Sequence, residues 1–356
     1  MERELRLMKG NEAVAEAAIR AGADGYFGYP ITPQSEILEY LMEAKPYETT
    51  GMVVLQAESE LAAINMVYGG AACGKKVMTT SSSPGISLKQ EGITYIAGAE
   101  LPCLIVNVVR GGPGLGTIQP AQSDYFQAVK GGGHWDYHLI VLAPASVQEM
   151  ADFVELGFDL AFRYRNPVMI LSDGAIGQMM EKVYLNPHRE RSKDVPEWAT
   201  TGKPPTRSRN IITSLDLDPE AQERFNLKLV AKYNEIREKE VRYEEFQCDD
   251  ADYLLVAYGT SARVCQKSVQ LARMEGIRVG LLRPITLFPF PSERISVLAD
   301  RVKGILSVEM SAGQMVEDVL LAVNGKVTVK HYGRMGGMIP TPEEVVENLR
   351  SKIIGG

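Results

Sequence analysis

Four short segments carry side chains able to do chemistry. The first holds Thr32 between two prolines, in Tyr29-Pro30-Ile31-Thr32-Pro33. Each proline fixes its own φ and pushes the preceding residue out of the helical region, so the hydroxyl would be held in one place. On local grounds the pentapeptide reads equally well as a stiff strand-to-helix turn. The second, Gln56-Ala57-Glu58-Ser59-Glu60, offers two carboxylates able to hold or pass a proton. The third, Thr79-Thr80-Ser81-Ser82-Ser83-Pro84-Gly85, joins hydroxyls to a glycine that lets backbone approach a ligand. The fourth, Arg110-Gly111-Gly112-Pro113-Gly114-Leu115-Gly116, sets a planar guanidinium, suited to a carboxylate, at the start of a glycine-rich loop.

Each segment follows a short apolar run: Gly25 to Tyr29, Met52 to Leu55, Lys76 to Met78 and Cys103 to Val109. Two further runs, Leu139 to Ala143 and Val168 to Ser172, continue the series, with helical patterns between them. Alternation of this kind predicts a parallel sheet flanked by helices, its ligand loops at the carboxyl ends of the strands. Leu61, Ile64, Tyr68 and Ala71 predict one apolar helix face and place Glu60 in the first turn, where the helix dipole favours a carboxylate.

From Arg189 to Cys248, 24 of 60 residues are charged, twelve of each sign, which predicts a solvated linker with a helix from Pro219 to Tyr243. The α/β pattern restarts at Asp252, with strands Tyr253 to Ala257, Val279 to Leu282 and Gly304 to Glu309 and a helix from Ala262 to Met274. Three regions are expected: 1–185, a linker over 186–250, and 251–356. At 356 residues the chain is long for one core, which agrees with that division. A net charge of −7 argues against a nucleic-acid partner, and no apolar run of membrane length is present, which points to a cytoplasmic protein.

Cys73, Cys103, Cys248 and Cys265 are scattered without a Cys-x-x-Cys pair, which argues against an iron–sulfur cluster on this chain and for small core residues. His134 and His138 stand four apart near Asp136, but Gly131-Gly132-Gly133 just upstream favours a loop over a zinc-binding helix, and no metal site is expected. Gly333-Arg334-Met335-Gly336-Gly337 is weak evidence for a phosphate loop, because Pro340 follows almost at once.

In order and interval the four segments resemble the α subunit of the 2-oxoacid:ferredoxin oxidoreductases, and the resemblance runs through nearly the whole chain. "YPITPQSEI", "QAESELAAINMVYGGA", "TTSSSPGISLKQEG", "NVVRGGPGLGTIQPAQSDYFQAVKGGG" and "YRNPVMILSDGAIGQMMEKV" look most like the branch acting on 2-oxoisovalerate and related branched-chain oxo acids. The resemblance implies a thiamine diphosphate pyrimidine-type domain over 1–185 and a transketolase C-terminal-like α/β domain over 251–356, the latter serving subunit contacts rather than chemistry. It implies that Glu60, nine residues before Gly69, bonds the cofactor's pyrimidine ring, with Glu58 as the alternative. Tyr29, Pro30, Ser82, Ser83 and Gly85 would line the cofactor, while Thr32 and Arg110 would hold the substrate carboxylate. Leu115 and Ile118 would help to shape the pocket.

The Gly-Asp-Gly and later Asn that hold the Mg²⁺-diphosphate in such enzymes are missing; Asp24-Gly25 and Asp173-Gly174 lack both the preceding Gly and the Asn. The resemblance therefore implies a site shared with a β subunit, beside a γ subunit and a ferredoxin-like δ subunit with [4Fe-4S] clusters, and with ferredoxin and coenzyme A as further partners. The expected reaction is oxidative decarboxylation of a 2-oxo acid to acyl-CoA. The alternatives are a 2-oxoglutarate or pyruvate branch, a non-oxidative thiamine-dependent decarboxylase subunit, or a non-catalytic docking subunit.

Overall fold

A computed structural model describes residues 3–355. The strands are β1 (Glu4–Lys9), β2 (Gly25–Gly28), β3 (Val53–Gln56), β4 (Val77–Ser81), β5 (Cys103–Val109), β6 (Ile140–Leu142), β7 (Pro167–Asp173), β8 (Met180–Leu185), β9 (Tyr243–Phe246), β10 (Tyr253–Val256), β11 (Val279–Pro284), β12 (Thr286–Phe288), β13 (Ile305–Glu309) and β14 (Val329–Gly333). They form a seven-stranded sheet in the order β12-β6-β7-β5-β4-β2-β3, a five-stranded sheet in the order β14-β13-β10-β11-β9, and a β1–β8 pair. All six strands expected in the first region are present.

Strands β4, β5 and β7 are buried along their whole length, as parallel central strands covered on both faces must be, which is why β5 and β7 read as largely apolar runs. Asn107 interrupts β5 and stays buried because both ends of its amide are bonded: Oδ1 accepts from the Ser83 amide at 3.2 Å and Nδ2 donates to Asp124 at 2.9 Å. The chain runs from β2 to the edge at β3 and then crosses back over β2 to β4. The sheet thus switches direction between β2 and β4, and at such a point the loops splay to leave a crevice.

The charged stretch is less solvated than its composition suggests. Residues 189–200 lie along the first region, the Arg191 guanidinium bonding Asp24 and the Gly51 carbonyl, and the Thr200 amide bonding the Ala72 carbonyl. The helix Pro219–Lys239 buries Leu229, Tyr233 and Ile236, and its Lys228 and Lys232 both pair with Glu100. Only three of its 21 residues are buried, so the apolar stripe was hidden among the charges.

The two sheets share a polar seam. The Gln122 side chain donates to the Tyr258 carbonyl at 2.8 Å and accepts from Ser261 Oγ at 2.7 Å and the Met310 amide at 3.0 Å. Arg283 makes a two-point contact with Glu149 at 2.7 Å for each bond. Strand β12 pairs antiparallel with β6 and so completes the edge of the first sheet.

Candidate active site

Strands β5, β4, β2 and β3 are neighbours in the sheet, so the four segments emerge side by side at its carboxyl edge. Glu60 opens the helix Glu60–Ala72, which is capped by Ser59 Oγ accepting from the Ala62 amide at 3.2 Å. It is buried, 7% exposed, whereas Glu58 is exposed and accepts from Ser59 Oγ. The register differs in part from the expected one: the buried face is Ala63, Ile64, Val67, Ala71 and Ala72, while Leu61 stands 49% exposed. Gly69 faces open space, and Gly70 is the glycine that packing requires, since a Cβ there would stand 2.8 Å from Val77 Cγ1.

Gly85 packs against Glu60. A Cβ at Gly85 would lie 2.8 Å from Glu60 Oε1 and closer still to Ser81 Oγ, so any side chain would fill the space between them. Ser81 Oγ and Ser82 Oγ are both buried without a hydrogen-bond partner in the protein. A buried hydroxyl left unbonded by the protein beside a buried carboxylate has hydrogen-bonding capacity for a further partner, a ligand or a water.

Ser83 is spent internally. Its Oγ accepts from the Arg110 amide at 3.1 Å and lies 3.3 Å from the Arg110 carbonyl, which ties the helix Ser83–Gly98 to the arginine loop. Arg110 and Thr32 do meet, but through backbone. Arg110 Nη1 donates to the Thr32 carbonyl at 2.9 Å and Nη2 to the Leu115 carbonyl at 3.1 Å, while Nε is buried and unbonded. The Thr32 side chain and Pro30 are exposed, as are Leu115 and Ile118, and Tyr29 is half-buried. Behind Tyr29 runs a buried chain that the sequence did not disclose: Tyr26 Oη to Thr80 Oγ1 at 2.7 Å, Thr80 to the Gln34 carbonyl oxygen of its side chain, and Gln34 Nε2 to the Tyr29 carbonyl at 3.1 Å. It fixes the proline loop on β4.

A cleft of about 760 Å³ opens beside Arg110, and one wall belongs to the second region: Met310 to Ala312, Gln314, Met335 and Gly336. Residues 251–356, expected to serve subunit contacts rather than chemistry, thus also wall the cleft beside Arg110. The wall is held by Glu309, fully buried, which accepts from the amides of Gln314, Met315 and Val316 and from Ser307 and Ser311. Gly336 and Gly337 sit against Gly111 with φ of 65° and 95°, a close approach that only glycine makes cheaply. Asp124 also lines the cleft, its carboxyl pushed up by burial and held down in part by Asn107.

His138 stacks on Phe288 with ring centroids 4.1 Å apart, and the His134 amide contacts Thr94. Both lie away from the four loops. Cys103, Cys248 and Cys265 are buried, and Cys73 is partly so. Among the described residues no helix is long and apolar enough to cross a membrane.

A buried carboxylate, two unbonded hydroxyls and a glycine cradle meet at the switch point of a parallel sheet, a lining whose chemistry fits thiamine diphosphate. The family model for the pyruvate flavodoxin/ferredoxin oxidoreductase thiamine diphosphate-binding domain matches residues 16–247, and that for core domain II of pyruvate:ferredoxin oxidoreductase matches 251–345. The chain is 54% identical over 346 residues to ketoisovalerate oxidoreductase subunit VorB of Methanothermobacter thermautotrophicus, covering 97% of each. It is 37% identical to the 2-oxoglutarate synthase subunit KorA of Archaeoglobus fulgidus, covering 98% of this chain and 100% of the relative. Among solved structures it is similar to a 2-oxoglutarate:ferredoxin oxidoreductase from Magnetococcus marinus, with TM-score 0.85, 27% identity and 98% of this chain covered, and it spans 65% of that chain. A split-gene transketolase, at TM-score 0.61 and 14% identity, shares the fold. The chain belongs to the 2-oxoacid:ferredoxin oxidoreductase family, as its α-type subunit.

Proposed function

We propose that this subunit serves the oxidative decarboxylation of a branched-chain 2-oxo acid, 3-methyl-2-oxobutanoate above all, to acyl-CoA and carbon dioxide with reduction of ferredoxin. The observation that carries the reading is the Glu60–Gly85–Ser81 cradle set next to the Arg110–Thr32 contact on adjacent strands. Identity to a ketoisovalerate oxidoreductase subunit exceeds identity to 2-oxoglutarate synthase subunits by 54% against 37%, which favours the branched substrate.

When bound, thiamine diphosphate supplies a nucleophilic carbon and an electron sink for the decarboxylation. Glu60 holds a proton against the pyrimidine ring through its carboxylate, which needs shelter from water to do so well. Ser82 and Gly85 line the ring, with Tyr29 and Pro30 on the opposing loop. Thr32, through its hydroxyl, and Arg110, through the guanidinium hydrogens left free by the two carbonyls, hold the substrate carboxylate. The loop Gly112–Gly116 screens it from solvent.

The missing Gly-Asp-Gly supports a Mg²⁺-diphosphate site on a β subunit. Leu61, Met66 and Leu88, exposed on the two packed helices flanking Glu60, give that partner an apolar face. We place the electron-carrying clusters on a ferredoxin-like δ subunit rather than here, with a γ subunit, coenzyme A and ferredoxin completing the assembly in the cytoplasm. The test is dye or ferredoxin reduction by the co-purified complex across a panel of 2-oxo acids. Highest kcat/KM with 3-methyl-2-oxobutanoate is expected, and a preference for 2-oxoglutarate or pyruvate would reassign the branch.

A further inference from the structure

Lys89 lies four residues after Gly85 on the helix Ser83–Gly98, so the two share the face turned to Glu60. Its side chain has no exposed surface. Nζ donates to Thr79 Oγ1 at 3.2 Å and to the backbone carbonyl of Glu60 at 3.5 Å. Both acceptors are neutral, and an ammonium has three protons to place. Burial lowers its pKa to about 8, and the Glu60 charge pulls it back up. A cation kept dry on two weak bonds is a cost to the fold, and a methionine would fill the same space without it.

We propose that Lys89 is the buried counter-charge of Glu60, a positioning residue that pins the start of the helix Glu60–Ala72 and sets the electrostatics beneath its carboxylate. The inference rests on the reading of Glu60 given above. Lys89 meets the first residue of that helix through the backbone, so it holds the carboxylate's anchor while its charge acts on the carboxylate across a site of low dielectric. The elements packed around it offer few other charges: Glu60 and Tyr68 on the helix Glu60–Ala72, none on β4, Cys103 on β5 and Asp173 on β7. Of these, Glu60 is the one that bears on the charge of Lys89.

Two measurements test this. The first uses the full chain without cofactor. A lysine whose folded pKa lies below its unfolded value penalises the fold below about pH 8, and the penalty fades as pH climbs towards 10.5. Lys89→Met removes that penalty together with the pin on Glu60, so its melting temperature relative to wild type should be highest near pH 7 and fall as pH climbs from 8 to 10.5; a difference that does not move with pH would mean a purely structural lysine. The second uses the assembled complex and follows exchange of the thiazolium proton of bound thiamine diphosphate with deuterated water. Lys89→Met should slow exchange about tenfold at pH 7, roughly the scale of one charge interaction in a sheltered site, and the decline expected of the wild type above about pH 8, where Lys89 gives up its charge, should be absent from the variant. Lys89→Gln, which keeps a polar donor on that side chain but no charge, should match Met. Wild-type exchange in either variant would overturn the proposal. Glu60→Gln run in parallel separates the two ideas: slow exchange there beside wild-type Lys89 variants sinks only the lysine, whereas unchanged exchange in Glu60→Gln sinks the reading of Glu60.

Discussion

Glu60 and Gly85 face each other across a gap that a single methyl group would close, with a Cβ at Gly85 only 2.8 Å from Glu60 Oε1. The helices that follow β3 and β4 meet there, and the packing holds the carboxylate while leaving it room on one side.

Gly85→Ala should accordingly lose cofactor binding in the complex and destabilise the chain by about 1–3 kcal/mol through overpacking. Denaturant titration reads the second effect and calorimetry with thiamine diphosphate the first; normal binding would mean that the cradle is not the cofactor's.

Glu60→Gln keeps size and removes charge. Turnover should nearly vanish with assembly intact, whereas Glu58→Gln, at an exposed position, should be mild. A reversed order of the two effects in steady-state assays would shift the acid–base role to Glu58.

For Arg110, the two carbonyls it spans make loop closure part of its task. Arg110→Lys should raise KM for the oxo acid roughly tenfold, as one lost charged hydrogen bond does, and Arg110→Ala more. Exchange of the thiazolium proton needs no substrate and should stay near wild type in both. An unchanged KM across all oxo acids would leave Arg110 as a loop clasp alone.

Gln122 joins the two sheets through one amide. Gln122→Leu strands the Met310 amide and the Ser261 hydroxyl, and should cost about 2–4 kcal/mol in chemical denaturation. A loss below about 0.5 kcal/mol would mean that water replaces it at no cost.

His138 gives the fold an acid limit. Burial first, then Arg237 at 3.2 Å, lower its pKa to about 4. Between pH 6.5 and 4 the unfolded chain takes up a proton that the folded one refuses, so stability falls as pH drops through that window, by roughly 2–3 kcal/mol. His138→Phe should flatten this part of the stability profile; an unaltered profile would place the acid sensitivity elsewhere.

The parallel sheet was legible because its central strands are buried on both faces and spell their position as apolar runs. The four loops were legible because proline, glycine and charge cluster at strand ends. Less visible was anything set by contact between distant segments. Strand β12 is three residues beside a Phe-Pro turn, and only its partner β6 makes it a strand. Leu61 obeys the helical period yet faces outward, since period alone does not say which of two overlapping stripes is covered. Lys89 and Ser81 look ordinary in sequence; their burial beside Glu60 is a product of packing. The charge of the 189–248 stretch masked how much of it lies against the first sheet.

Strand β12 has one more consequence. It caps β6, whose free backbone groups would otherwise form an open rim on the large sheet. A chain cut near residue 250 keeps every residue matched by the thiamine diphosphate-binding model yet exposes that rim, a template for strand addition between copies. The second region thus supplies the strand that covers β6, and residues 1–250 made alone are expected to self-associate more than the full chain in sedimentation.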